Sequence, residues 1–198
     1  DVYKNHYGNS ESRTHNYGDD ARSIVENARK QVASLLGIMS SEVFFTSGST
    51  ESSNIVIQGL EQYAFESNKK HFVTTTIEHK AVIETIKAME RRGFAADYIS
   101  PDRSGVISAN SISEHLTSQT LLVSIMHVNN ETGVIQPVDQ IGELLSDKNV
   151  YFHVDATQSC GKLVEEIRNL KSRYFVVKEE VSEAEDAEEI EEIPEAED

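Results

Sequence analysis

The chain has 198 residues and a formal net charge of −16, with 18 Lys and Arg against 34 Asp and Glu. The length suits one domain large enough to bury a real core. The acidity excludes a general nucleic-acid binder, because phosphate binding needs a basic surface. No apolar run approaches a bilayer span, so no membrane partner is expected. The single cysteine, Cys160, leaves no internal disulfide framework and fits a reducing, cytoplasmic setting. Charge is unevenly spread: residues 179–198 hold twelve Asp and Glu and no Lys or Arg, so residues 1–178 carry 22 acidic and 18 basic groups, a net of −4. No charged-then-apolar signal opens the chain, and Asp1-Val-Tyr-Lys4 reads as the interior of something longer.

In chain order, Asp19 and Asp20 predict the start of a helix whose apolar positions Ile24, Val25, Ala28, Val32, Leu35 and Leu36 keep helical spacing up to Gly37. Glu42–Thr46 predicts a strand that leads into Ser47-Gly-Ser-Thr50, followed by one helix through Ile55, Val56, Leu60 and Tyr63. The β-branched run Phe72–Ile77 predicts a strand, residues 80–92 a helix stopped by Gly93, and Ala96–Ile99 a short strand. A helix is expected around Ser113–Leu116. The almost wholly apolar Thr120–Met126 reads as a strand covered on both faces. A helix over Pro137–Leu145 and a strand over Val150–Val154 complete the alternation, which calls for an α/β fold with a mostly parallel sheet. Tyr174–Val177 has the composition of one further strand. Residues 179–198 are expected to be disordered, since so much like charge and so few apolar groups cannot offset ordering entropy.

Four segments carry chemistry. In Phe45-Thr-Ser-Gly-Ser-Thr-Glu51 a strand is expected to end at a tight turn, so that backbone N–H groups and the Ser49 and Thr50 hydroxyls converge on an anion at a helix N-terminus. A plain helix cap is the alternative. His79, in Thr76-Ile-Glu-His-Lys-Ala81, falls between a strand and a helix, where an imidazole can stack on a flat cofactor or simply bond to backbone. Asn130 follows the apolar strand and presents an amide suited to a phenolic oxygen, although Asn-Asn-Glu-Thr-Gly is also ordinary turn chemistry. Asp155 ends the run Tyr151-Phe-His-Val-Asp155, with Gln158 three residues on. A carboxylate delivered this way holds a cationic ring nitrogen such as that of pyridoxal phosphate.

With these motifs the chain resembles the class V pyridoxal-phosphate enzymes, specifically the cysteine desulfurases of the NifS/IscS type. The matching residues are Gly8-Asn-Ser-Glu-Ser-Arg-Thr-His15, Phe45–Asn54, Glu78-His-Lys-Ala-Val82, Ser124–Gly133 and His153-Val-Asp-Ala-Thr-Gln-Ser159, and the likeness covers about residues 5–171. It implies a three-layer α/β/α fold of the fold type I large-domain kind. It also implies that Ser49 and Thr50 bind the cofactor phosphate, that His79 stacks on the ring and takes part in proton transfer, that Asn130 and Gln158 flank the phenolic oxygen, and that Asp155 pairs with the ring nitrogen. The implied reaction converts L-cysteine to L-alanine and passes the sulfur on as a persulfide to an acceptor protein, a scaffold or a thiolation enzyme. Members of the family are homodimers.

The resemblance also implies groups that this sequence does not match. A Schiff-base lysine should follow a Ser-x-His motif one strand beyond Gln158, yet Lys162, Lys171 and Lys178 lack that context. The nucleophilic cysteine belongs to a later loop, and Cys160, just after the cofactor strand, suits packing. Residues 1–171 are therefore expected to be a partial large domain and 172–198 a divergent acidic tail, with no catalysis by the chain alone. Two alternatives stay open: a non-catalytic chain docking on a full-length desulfurase or an acceptor, and another class V reaction, such as that of an aminotransferase or a selenocysteine lyase.

Overall fold

The computed structural model describes residues 2–5, 8–12, 16–169 and 174–176. A short helix α1 (Val2–Asn5) precedes the long α2 (Asn16–Leu36), which starts three residues before the expected cap. The Arg22 guanidinium donates to the carbonyls of Ser10 and Ser12 and so fastens the preceding segment to α2. Gly8 lies so close to this helix that a Cβ there would sit 1.8 Å from the Tyr17 carbonyl oxygen, which only glycine permits.

Five parallel strands follow: β1 (His71–Thr75), β2 (Ala95–Ile99), β3 (Thr120–Met126), β4 (Tyr151–Asp155) and β5 (Tyr174–Val176), arranged in the order β2-β1-β3-β4-β5. Their connections are α5 (Lys80–Glu90), α6 (Ala109–His115), α7 (Val138–Leu145) and α8 (Val164–Arg168). Helices α3 (Ser49–Gly59) and α4 (Glu61–Ser67) lie between α2 and β1 in the chain. Phe72 and Leu122 pack with Ile57, Ala64, Val82, Ile86 and Met89, which puts α3, α4 and α5 on one face of the sheet. Val73, Val123, Ile125 and Val154 pack with Leu36, Ile112, Ile141, Leu145 and Ile167, which puts α2, α6, α7 and α8 on the other. The fold is the expected three-layer α/β/α, and β3 is buried along its whole length.

Two expectations need correction. Glu42–Thr46 is not a strand: Ser40–Glu42 is a 3-10 turn, Val43 is buried, and Phe44 and Phe45 lie on the surface, 81% and 46% exposed. Among the described residues no strand pairs with the run; Arg29 bonds the Val43 carbonyl and its guanidinium lies over the Phe45 ring. The second helix is two, parting at Leu60, and its buried face carries Ser53, Ile57 and Ala64 while Ile55 is exposed. The short Tyr174–Val176 does add a strand beside β4, whereas residues 177–198, including the acidic run, lie outside the described residues. Among the described residues no helix is long and apolar enough to cross a membrane.

Truncating Leu122, fully buried on β3, to alanine should cost about 2–5 kcal/mol of stability in urea denaturation. The same truncation of Phe44 should stay within about 0.5 kcal/mol. Equal costs would put Phe44 in the core and contradict the surface placement.

Candidate functional site

The chain order of the strands reverses direction between β1 and β3. After β1 the chain turns outward to β2, after β3 it turns the other way to β4, and the two exits leave a crevice beyond the strand ends. Backbone pairing between β1 and β3 runs from His71–Thr120 to Val73–Val123. Beyond it, side chains take over: Thr74 Oγ1 donates to the Ser124 carbonyl (3.0 Å), Glu78 Oε1 accepts from the Met126 N–H (2.9 Å), and Asn129 Nδ2 donates to the Ile77 carbonyl (3.1 Å). These contacts hold together the two turns that contribute His79, Met126 and Asn130 to a concavity of about 410 Å³.

The residues singled out in the sequence all line that concavity: Ser49, Thr50, His79, Asn130, Asp155 and Gln158. Ser49 and Thr50 open α3. Its cap is Gly48, whose φ of 154° disfavours any other residue and which offers no side chain of its own to the orphan N–H groups. The two hydroxyl residues are thus the first helical residues and not the cap. Around them, Thr46 Oγ1 shares a 2.7 Å hydrogen bond with Ser52 Oγ. Glu51 Oε2 accepts from the Ser47 N–H (2.6 Å) and hydroxyl (2.7 Å), bonds that hold its carboxyl below the ordinary range. Helix α3 is tied to α5 by Thr85 Oγ1, which donates to Asn54 Oδ1 (2.8 Å) and so sets the two helix N-termini relative to each other.

His79 is the cap of α5. Its Nδ1 accepts from the Ala81 N–H at 3.2 Å, so the neutral ring carries its proton on Nε2. The backbone-bonded histidine and the pocket histidine are one and the same. In the turn after β3, Asn129 Oδ1 accepts from the N–H groups of Glu131 (3.0 Å) and Thr132 (2.8 Å) and from the Thr132 hydroxyl (3.0 Å). Asn129 therefore builds the turn and Asn130 projects at the rim. Asp155 ends β4, only 6% exposed, with Oδ1 accepting from the Thr157 N–H at 3.0 Å and from its hydroxyl. Two residues earlier on the same strand face, His153 shares a 2.8 Å hydrogen bond between its Nδ1 and Ser124 Oγ, while its Nε2 is buried without a partner.

This arrangement offers an anion site of helix N–H groups and hydroxyls, facing a carboxylate suited to a cationic nitrogen. Among the described residues no His, Cys, Asp and Glu group could hold a metal ion. Cys160 packs against the core beside β4. Lys162 is exposed, and Lys171 and Lys178 lie outside the described residues. Sequence reasoning passed over Glu78, Asn129 and Thr157. Glu78 reads locally as an acid at a helix start, and only its bond to β3, 48 residues away, shows otherwise.

Burial pushes the Glu78 carboxyl up to about 8, against hydrogen bonds from Thr75 and Met126 that favour its anion, and the charge of Asp155 adds to the rise. Burial pushes His153 down to about 4, with Asp155 opposing. From the ordinary 4.5 up to about 8 the folded chain keeps a proton on Glu78 that the unfolded chain releases, so this contribution is complete below 4.5 and lost as pH rises through about 8. His153 acts oppositely, being protonated first in the unfolded chain, so its contribution is lost as pH falls from 6.5 through about 4. Stability should therefore fall between pH 6.5 and 8, and Glu78→Gln should flatten that segment in urea titrations. An unchanged slope in the variant would contradict the assignment.

Comparison with known proteins agrees with the geometry. The aminotransferase class-V family matches residues 1–176. Cysteine desulfurase IscS of Buchnera aphidicola subsp. Acyrthosiphon pisum (strain 5A) is 44% identical over 165 residues, covering 83% of this chain and 40% of that protein. The crystal structure of DndA from Streptomyces lividans superposes with a TM-score of 0.80 at 43% identity, covering 87% of this chain and 48% of that one. SspA in complex with cysteine gives a TM-score of 0.84 at 35% identity, over 89% and 50%. The chain thus spans half or less of the length of these proteins. The family match over residues 1–176 means that the protein belongs to the aminotransferase class-V family, and the crevice at the sheet's reversal point lies within the matched residues.

Proposed function

We propose that the crevice holds pyridoxal phosphate and that the chain supplies the cofactor-holding part of a cysteine desulfurase, which converts L-cysteine to L-alanine and passes sulfur on as a persulfide. The observation that carries this reading is the meeting of the Ser49 and Thr50 helix N-terminus with Asp155 across a single concavity. The residues fit the cofactor chemically. Ser49, Thr50 and the α3 N–H groups suit its phosphate. At Gly48 an added Cβ would meet nothing within 4 Å, which leaves the rim open there.

When bound, pyridoxal phosphate supplies an electron sink for charge developing at the substrate α-carbon. The chain's own groups do the rest. Asp155, steadied by Thr157, holds a proton on the ring nitrogen, and Asn130 and Gln158 flank the phenolic oxygen. His79 covers the ring and carries a proton at Nε2. Catalysis also needs a Schiff-base lysine and a nucleophilic cysteine, neither of which the resemblance places on residues 5–171, so cofactor and substrate binding are what we assign to this part. Cysteine as substrate is supported by the related SspA structure, which contains it. A sulfur-acceptor protein and a second desulfurase subunit are the partners we assign, and the lone Cys160 supports a cytoplasmic setting.

Titrating pyridoxal phosphate into the full chain, followed by calorimetry, tests the reading. Binding should weaken about tenfold in Thr50→Ala and in Asp155→Asn, the scale of one charge-assisted hydrogen bond. Absence of binding, or binding indifferent to both substitutions, would overturn it.

A further inference from the structure

We propose that Glu78 is a positioning residue for His79, an uncharged acid that spans the gap between β1 and β3 and keeps the imidazole in its capping pose. Where the backbone ladder between these strands stops, one carboxyl bonds to both sides: Oε1 accepts from Thr75 Oγ1 (2.7 Å) on β1 and from the Met126 N–H (2.9 Å) on β3. The side chain is 6% exposed, and Oε2 is buried with no partner. A carboxylate in that position would leave one charged oxygen unsolvated, whereas an acid leaves only a hydroxyl. Of the groups around it, Asp155 on β4 adds negative potential and favours the acid, and His153 behind Asp155 is held neutral by burial and supplies no cation; the donors Thr75 and Met126 N–H favour the anion and are outweighed by burial.

His79 is the next residue in the chain, and the Ala81 N–H that it caps is three residues from Glu78. A shift of the carboxyl therefore moves the imidazole anchor directly. Asn129 supplies a second tie to the same turn through the Ile77 carbonyl, so the turn survives loss of Glu78 and the chain stays folded enough to be measured. The inference concerns the crevice's own geometry and goes beyond the identity of its ligand; failure to bind pyridoxal phosphate would sink the preceding proposal and leave this one standing.

Amide NMR of the full chain across pH separates the outcomes. The Met126 amide reports ionisation of Glu78, and the Ala81 amide reports whether it reaches His79. Both should show a step with a common midpoint near pH 8, absent from both in Glu78→Gln. In Glu78→Ala, Ala81 should lose about tenfold in hydrogen-exchange protection while core amides keep theirs. A Met126 step without an Ala81 step at the same midpoint, an Ala81 step at that midpoint that persists in Glu78→Gln, or unchanged Ala81 protection in Glu78→Ala would each overturn the proposal; a separate Ala81 step shared by all variants reports His79 itself.

Discussion

Parallel strands that leave a sheet in opposite directions cannot keep pairing by backbone alone, and in this chain the gap between β1 and β3 is bridged by side chains. Thr74, Glu78 and Asn129 carry the hydrogen bonding across it. Everything at the crevice depends on this bridging. It sets where α5 begins, hence where His79 caps, and it sets the turn from which Asn130 projects. The Asn54–Thr85 bond then fixes α3 against α5, so the N-terminus bearing Ser49 and Thr50 comes to the same rim. A buried polar group costs stability unless it is bonded, so such positions are expected where structure demands a bond that the ladder cannot supply.

Glu78 and His153, beneath the crevice, are both pushed toward their neutral forms by burial. Asp155, with its Thr157 donors, and Glu51, held by Ser47, face the cavity. With the proposed cofactor bound, Asp155 would meet the cationic ring nitrogen and the α3 N–H groups the phosphate. Likeness to cysteine desulfurase IscS of Buchnera aphidicola covers most of this chain and 40% of that relative.

Much of this was legible in the sequence where local pattern and tertiary burial agree. Thr120–Met126 is apolar throughout because it lies centrally with helices on both faces, and its ends matched to the residue. His79, Asn130, Asp155 and Gln158 could be placed together from the sequence because strand tips of a parallel sheet gather at one edge, whereas Ser49 and Thr50 reach the same concavity without the strand expected before them. Glu42–Thr46 misled because hydrophobicity does not reveal whether a partner strand exists, and among the described residues none pairs with it. Glu78 was illegible for the opposite reason. Its role rests on a bond to Met126, and no local pattern encodes a contact across 48 positions.

Diffraction from crystals of the chain grown with pyridoxal phosphate tests the central claim most directly. The account predicts phosphate density at the α3 N-terminus, on Ser49 and Thr50, with the pyridine nitrogen in hydrogen-bond reach of Asp155. Cofactor bound elsewhere, or turned so that its phosphate meets Asp155, would contradict it.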